Sequence, residues 1–309
     1  MLRVLRSIQS DLICSRPGKK LLELSAAFID SKICTATSVR RQAESYRAGR
    51  KTGLRFSVGI PHYNRGATIW RPLFNLLRHP AVTEVVILDD GSSPAEFEAL
   101  SRNVREMDSR GRVKIHRREH NLGALRTKLE CAEMATSEWI LILDSDNTAF
   151  ANYLDALAKL NSPDANAFYC AGWAFPHFPF HPLQGMRLDF QKACALTGSG
   201  DLRRYYIIND GNYLVHRDSY IRSVKALGVV ASDVADVMLV NYHWLAQGGY
   251  LQILPGTSYF HRVDASSFWC RTEEESRRRV SEIFARFEAG NRWDEEFHRS
   301  LSLRSEYQQ

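Results

Sequence analysis

The chain has 309 residues, of which 44% are hydrophobic and 25% are charged, and its formal net charge is +6. These fractions are ordinary for a folded globular protein, so the disordered and collagen-like classes are excluded. No run approaches the ~18 consecutive apolar residues that a membrane-spanning helix needs.

The positive charge is concentrated at the N-terminus, where residues 1–55 hold twelve Lys and Arg against four Asp and Glu. Apolar residues recur there at helical spacing, at Leu2, Leu5, Ile8 and Leu12. We therefore expect residues 1–54 to form a basic helical extension. It lies either on an anionic membrane surface or, as a solvated arm, against the main domain or a partner subunit. No nucleic-acid-binding motif accompanies the charge, so nucleic acid is not an expected partner.

The six cysteines are scattered along the chain, and no C-x-x-C pair occurs among them. This spacing argues against a zinc knuckle and against a dense disulfide framework. The first residues also differ from a secretory signal, because Arg3, Arg6 and Asp11 interrupt the apolar positions. We expect a cytoplasmic protein, held at the inner face of the membrane if the basic arm binds there.

Strand and helix patterns alternate from Arg55 onward. In chain order, the predicted elements are strand 56–60, helix 68–78, strand 84–88, helix 94–107, strand 113–116, a helix opened by Asn121, strand 139–143, strand 205–208, helix 237–247, strand 250–254 and helix 272–297. This alternation predicts an α/β fold with a mostly parallel central sheet that helices cover on both faces. Ligands then bind beyond the carboxyl ends of the strands.

Two acidic clusters follow strongly apolar runs. Asp89 and Asp90 end the first run, and Asp144 and Asp146 end the second. Neighbouring carboxylates repel one another, and Mg²⁺ or Mn²⁺ prefers oxygen ligands together with substrate phosphates. The clusters therefore indicate a metal-bridged nucleotide diphosphate, although Asp and Gly also favour simple turns at strand ends.

Four segments in this order resemble the successive signatures of the GT-A glycosyltransferases, in particular the inverting group called family 2. They are Ser57 to Arg65 (SVGIPHYNR), Asp89 to Ser92 (DDGS), Asn121 to Gly123 (NLG) and Asp144 to Asp146 (DSD). The resemblance implies a GT-A domain over 55–270, with a nucleotide-sugar-binding half at 55–150 and an acceptor-binding half at 151–270. A C-terminal helical segment follows at 271–309.

The resemblance carries roles to individual positions in the nucleotide half. Pro61, Tyr63 and Arg65 match the loop that holds the nucleobase and ribose, and Asp89 and Asp90 match the acids that accept hydrogen bonds from them. Asp144 matches the first acid of the D-x-D motif, which faces the ribose or metal-bound water. Asp146 matches the second acid of the D-x-D motif, which typically coordinates the metal. The family usually carries Ala-Arg seven residues after the asparagine, but here Lys128 holds that position and the arginine lies at Arg126. Either cation can reach a diphosphate.

The second half is expected to provide the catalytic base and the acceptor side. The family takes its base from an acidic pair before a helix that ends at glycine; here Asp236 matches the first acid and Val237 replaces the second. Asp236 is the predicted base, and Asp233 is the alternative. His261 matches the late histidine that completes the metal site in many GT-A enzymes. The acceptor-side positions are Asp210, Gly211 and Asn212.

The resemblance thus implies a metal-dependent inverting glycosyltransferase that uses a nucleoside diphosphate sugar, most commonly a UDP-sugar, in polysaccharide or glycoconjugate synthesis. The acceptor is left open among a saccharide, a lipid-linked sugar and a protein side chain. Two alternatives stay open. Asp144 to Thr148 also reads as the D-x-D-x-T of haloacid dehalogenase-type phosphatases, with Asp144 as the nucleophile. Val237 and the displaced arginine are also compatible with an inactive GT-A binding or scaffold module.

Overall fold

The computed structural model describes residues 53–198, 206–227, 235–263, 273–291, 293–294 and 297. The predicted basic arm therefore lies outside the described residues, apart from its last two positions. The same is true of the alternative base Asp233. No helix in the described ranges is both long and apolar enough to cross a bilayer.

Strands and helices alternate along the first half, and the second half adds short strands. The strands are β1 (Phe56–His62), β2 (Val82–Asp89), β3 (Val113–Arg117), β4 (Trp139–Ile142), β5 (Thr148–Ala149), β6 (Ala167–Ala171), β7 (Trp173–Phe175), β8 (Phe178–Pro179), β9 (Arg187–Leu188), β10 (Tyr213–His216), β11 (Tyr250–Leu254) and β12 (Tyr259–Phe260). The helices are α1 (Trp70–Leu76), α2 (Pro94–Met107), α3 (Ala124–Met134), α4 (Ala151–Ala158), α5 (Phe190–Gly198), α6 (Arg217–Ala226), α7 (Asp236–Ala246) and α8 (Glu273–Glu288).

The main sheet has the strand order β3-β2-β1-β4-β10-β6-β11-β9. Strands β3, β2, β1 and β4 are mutually parallel, whereas β10 runs antiparallel to both β4 and β6. Strand β11 is parallel to β6, and β9 is antiparallel to β11. The prediction of an α/β fold with a mixed, largely parallel central sheet is confirmed.

The central strands are buried because helices pack on the sheet. Every residue of β4 is buried, as is nearly every residue of β1 and β2, which explains their continuous apolar runs. Gly59 of β1 lets α3 approach closely, since a Cβ there would meet the Cys131 side chain at 3.0 Å. This packing places α3 directly behind the strands whose carboxyl ends carry the acidic clusters.

A buried carboxylate links three strands by hydrogen bonds at the end of the sheet opposite the acidic clusters. Glu84 of β2 accepts hydrogen bonds from Ser57 Oγ at 2.7 Å, from the Thr136 backbone and hydroxyl, and from Lys114 Nζ at 2.6 Å. Burial opposes ionisation of Glu84, but these donors lower its pKa to about 2. The network joins β1, β2, β3 and the turn after α3, so it supports the end of the sheet opposite the acidic clusters.

Several predicted elements are found close to their expected limits. The helix 94–107 and the strand 250–254 match α2 and β11 at both ends. The predicted strand 205–208 is wrong for its described part, because residues 206–209 form a turn. The predicted helix 272–297 is shorter, since α8 ends at Glu288 before the turn at Gly290, whose φ is 67°. Free cysteines among the described residues are Cys131, Cys170 and Cys194.

Candidate active site

The first acidic cluster supports loops at the carboxyl edge of the sheet. Asp89 is fully buried, and its carboxylate contacts His62 Nδ1 at 2.7 Å, the Ser92 hydroxyl, and Arg117 Nε at 3.5 Å. Burial alone would raise the pKa of Asp89, but the hydrogen bonds from His62 and Ser92 lower it. These contacts already occupy the carboxylate of Asp89 within the protein. Its binding of a nucleotide stays a prediction.

Asp90 holds the Asn121-Leu122-Gly123 turn. It accepts hydrogen bonds from the backbone N–H of Leu122 and of Gly123, both at 2.9 Å, and from Arg118 at 2.7 Å. Gly91 allows this contact, because its φ is 76° and a Cβ there would meet the Asn121 backbone at 2.8 Å. Two of the sequence signatures are therefore one structural unit.

The end of β1 and the loop after it carry three of the predicted nucleotide residues. Pro61 lies near the end of β1, Tyr63 is 39% exposed at the surface, and Arg65 ion-pairs with Asp146 at 3.2 Å. Asn64, in the left-handed region with φ 50°, fixes the loop through its backbone N–H to Ser92 Oγ at 2.7 Å. The exposed ring of Tyr63 is therefore free to stack on a planar base, and its binding role stays a prediction.

The D-x-D segment forms a turn directly after β4. Asn147 N–H donates to the Asp144 carbonyl at 3.0 Å, and Asp144 N–H donates to Asn212 Oδ1 at 3.0 Å. The amide of Asn212 also donates to Asp144 Oδ2 at 3.4 Å. The turn is thus held by Asn212, which directly precedes β10, the antiparallel neighbour of β4.

Asp210, Gly211 and Asn212 form the support of this turn in the structure. Asp210 and Asn212 are 3% and 2% exposed, and Tyr259 OH donates to Asp210 Oδ1 at 3.0 Å. Burial raises the pKa of Asp210 to about 7. Their predicted acceptor-side role stays a prediction, but their burial leaves little surface for a sugar to contact, and their contacts orient Asp144.

Gly211 is needed because Val237 packs on it. A Cβ at position 211 would lie 2.6 Å from Val237 Cγ2. We expect Gly211→Ala to lower the free energy of unfolding by about 1–3 kcal/mol through overpacking. Adding Val237→Ala should restore most of that loss, as measured by denaturant unfolding of the single and double variants. Equal destabilisation in both backgrounds would contradict this packing.

Lys128 connects the two halves of the site. Its ammonium lies 2.8 Å from Asp236 Oδ2 and 3.5 Å from Asp144 Oδ1, and the residue is only 6% exposed. Burial disfavours the charged ammonium, but the two carboxylates outweigh it and raise the pKa of Lys128. Arg126 lies elsewhere on α3: its Nε contacts Glu130 at 2.5 Å, and its side chain is 54% exposed. These contacts favour Lys128 over Arg126 as the cation of the site.

Asp236 begins α7, where its side chain meets Lys128. The residue before it, Ala235, has φ 61° and ψ 30°, a left-handed conformation that is uncommon for alanine. Asp236 is 9% exposed. A carboxylate is a chemically suitable proton acceptor, and the role of Asp236 as base stays a prediction.

His261 lies beside the D-x-D turn because β12 pairs with β5. Phe260 pairs with Thr148, and Arg262 N–H donates to Asn147 Oδ1 at 3.0 Å. The ring centroid of His177 lies 5.7 Å from that of His261. Burial, together with His177, lowers the pKa of His261 to about 3, so the ring is neutral at neutral pH.

Asp146 and His261 carry donor atoms of the kinds that a divalent cation can use, and their role as metal ligands stays a prediction. In the described ranges, no three His, Cys, Asp or Glu side chains converge closely enough to enclose a metal ion. Asp146 offers a carboxylate, and His261 offers a neutral ring whose buried Nδ1 has no hydrogen-bond partner in the described structure. Mg²⁺ and Mn²⁺ commonly use one or two such protein ligands and complete their shell with phosphates and water.

The strand order and the position of the D-x-D turn define a GT-A fold. The mannosyltransferase PcManGT of Pyrobaculum calidifontis, solved with GDP-Man and Mn²⁺, matches with a TM-score of 0.57 at 17% identity, over 92% of this chain and 81% of that chain. TarS of S. aureus, residues 1–349, matches with a TM-score of 0.52 at 15% identity, over 80% of this chain and 69% of that chain.

Residues 57–184 match the family model described as glycosyl transferase family 2. An uncharacterized glycosyltransferase of Mycoplasma pneumoniae is 31% identical over 117 residues, which are 35% of this chain and 36% of that protein. The match thus spans about a third of that relative. The chain is GT-A in fold and family-2-like in this segment, as the sequence predicted.

The phosphatase alternative is not supported by this fold. Asp144 follows the fourth strand of the chain, and Thr148 is buried in β5, where it pairs with β12. The fold and the family match instead account for both acidic clusters together. A nucleophilic role for Asp144 therefore receives no support from its surroundings.

Proposed function

We propose that this protein is a metal-dependent inverting glycosyltransferase that transfers a sugar from a nucleoside diphosphate sugar to an acceptor hydroxyl. The observation that carries the proposal is the meeting of Asp144, Lys128 and Asp236 at one end of the sheet, within 3.5 Å of the lysine ammonium. Such a transfer needs three groups at one place: an acid of the D-x-D motif, a buried cation, and a carboxylate from the second half of the domain.

Asp236 is the proposed base. It removes the proton from the acceptor hydroxyl as that oxygen attacks the anomeric carbon from the face opposite the nucleotide. The bond between the anomeric carbon and the diphosphate oxygen breaks as the new glycosidic bond forms, which inverts the configuration. Such a base contributes roughly 10²–10⁴ to the rate. Asp233 is the alternative base, in a part of the chain outside the described ranges.

The donor side consists of the β1 loop, the D-x-D turn and α3. Tyr63 stacks on the nucleobase, Arg65 lies on the same loop toward the ribose, and Lys128 contacts the diphosphate. Asp146 and His261 would hold Mn²⁺ or Mg²⁺. When bound, the metal ion neutralises the charge that develops on the departing diphosphate. UDP is the first nucleotide to test, and GDP is the second because PcManGT was solved with GDP-Man.

The inactive-scaffold alternative is favoured by one observation, the replacement of the second acid by Val237, whose methyl groups pack on Gly211. The same packing is also compatible with an active enzyme, because it fixes the start of α7 and therefore the position of Asp236. Turnover of a nucleotide sugar would exclude the scaffold. The acceptor is a saccharide, a lipid-linked sugar or a protein hydroxyl.

Thermal unfolding tests the donor site. We expect UDP or GDP, but not both equally, to raise the midpoint by several degrees in the presence of Mn²⁺, since a ligand at about 100 times its Kd adds about 2.7 kcal/mol. The panel is UDP, GDP, dTDP and CDP, each with and without Mn²⁺. No shift with any nucleotide would contradict the proposal.

A further inference from the structure

In the described part of the site, the carboxylates of Asp144, Asp146 and Asp236 lie close to positively charged side chains of the protein. Asp146 pairs with Arg65 at 3.2 Å, and Lys128 lies between Asp236 and Asp144 at 2.8 and 3.5 Å. An incoming diphosphate is anionic and competes with these carboxylates for the same cations. A diphosphate that binds one of these cations shares it with a carboxylate or takes the place of that carboxylate.

Lys128 is the cation whose exchange has a consequence for catalysis. Its ammonium lies closest to Asp236, the proposed base, and 0.7 Å farther from Asp144 on the donor side. A carboxylate that is bound to a buried ammonium has a lone pair occupied and its charge compensated. In this arrangement Asp236 is a poor acceptor for a hydroxyl proton.

The carboxylate is the fixed partner of this pair. Ala235 adopts a left-handed backbone conformation directly before it, and Val237 directly after it is packed on Gly211. Such a strained residue persists only where the surroundings determine it fully. Lysine, in contrast, carries its ammonium on a flexible four-carbon stem. A change of partner is thus a movement of the Lys128 side chain and leaves α7 in place.

We propose that Lys128 is an exchangeable counterion that couples donor binding to the base, an inference that rests on the proposed function. Without a donor, its ammonium neutralises Asp236. When the diphosphate binds beside Asp144, the ammonium turns to the phosphate oxygens and Asp236 becomes free to accept a proton. The acceptor hydroxyl is then activated only after the donor is in place.

The exchange predicts that Asp236 competes with the nucleotide for Lys128. Removing the charge of Asp236 should therefore tighten nucleotide binding, although Asp236 is the proposed base for the reaction. We expect Asp236→Asn to bind UDP or GDP, whichever the wild type binds with Mn²⁺, about 3- to 30-fold more tightly, a common range for residues in contact. Lys128→Met should bind it more weakly than the wild type.

The double variant separates exchange from a general charge effect. In the Lys128→Met background, Asp236→Asn should change the Kd by less than about twofold, because no ammonium remains to be released. Lys128→Arg keeps the charge and should keep the tightening. If Lys128→Met is unstable, Lys128→Gln supplies the uncharged background in its place. Isothermal titration calorimetry with Mn²⁺ measures all the constants.

Asp218→Asn is the matched control, because Asp218 is an acid in the first turn of α6, is 55% exposed and pairs with Arg217. It should leave the Kd unchanged. Asp236→Asn binding no more tightly than the wild type, or tightening equally without Lys128, would overturn the exchange while leaving the donor site standing. No nucleotide binding to the wild type would overturn the proposed function and, with it, this inference.

Discussion

Replacing Asp236 by asparagine is expected to reduce nucleotide-sugar turnover by about 10²- to 10⁴-fold, because the variant lacks the carboxylate that accepts the proton. The side chain keeps its size, so the start of α7 and its packing on Gly211 should persist. Turnover is measured as release of nucleoside diphosphate from the sugar nucleotide, with water as the acceptor.

Asp218→Asn again serves as the control for this experiment, since it changes an exposed acid on the neighbouring helix. It should retain wild-type turnover. Asp236→Asn with wild-type turnover would contradict the assignment of Asp236 as the base and would favour Asp233 instead. Loss of nucleotide binding together with turnover would instead show a damaged site.

Asp146→Asn is expected to abolish the effect of Mn²⁺ on nucleotide binding, because the variant lacks the carboxylate that is proposed to hold the metal. The stabilisation by nucleotide plus Mn²⁺, about 2.7 kcal/mol at 100 times the Kd, should fall to that of nucleotide alone. The measurement is thermal unfolding with and without Mn²⁺. Turnover should fall to the metal-free level.

Asp155→Asn is a suitable comparison for this variant, because Asp155 lies on α4, just beyond the D-x-D turn, and contacts His79 at 3.4 Å. Its response to Mn²⁺ should match that of the wild type. An Asp146→Asn protein whose nucleotide binding still depends fully on Mn²⁺ would mean that the metal is held elsewhere.

The framework of the site could be predicted from local patterns. Helix α2 and strand β11 were predicted at their observed limits, because strong periodicity and clear flanking turns mark both. The D-x-D turn was expected at the end of β4, since apolar strands of a parallel sheet end at one edge. The predicted strand 205–208 is wrong in its described part, because a short apolar run does not by itself determine the secondary structure.

The contacts within the site could not be predicted, because they join residues far apart in the chain. Lys128 and Asp236 are separated by 108 positions, and Asp144 and Asn212 by 68. One signal for Lys128 was present, since it shares a helix face with Leu125 and Ala132, which are buried. A charged residue on the buried face of a helix needs a partner. Arg118, which pairs with Asp90 and Glu130, offered no such signal.

The measurement that tests the central claim most directly is release of nucleoside diphosphate from UDP- and GDP-sugars by the purified protein with Mn²⁺. The account predicts steady release from one of these donors, with strong reduction in Asp236→Asn and loss of the Mn²⁺ dependence in Asp146→Asn. Intact donors after prolonged incubation with a protein that binds the nucleotide would contradict an active transferase and would support the inactive scaffold.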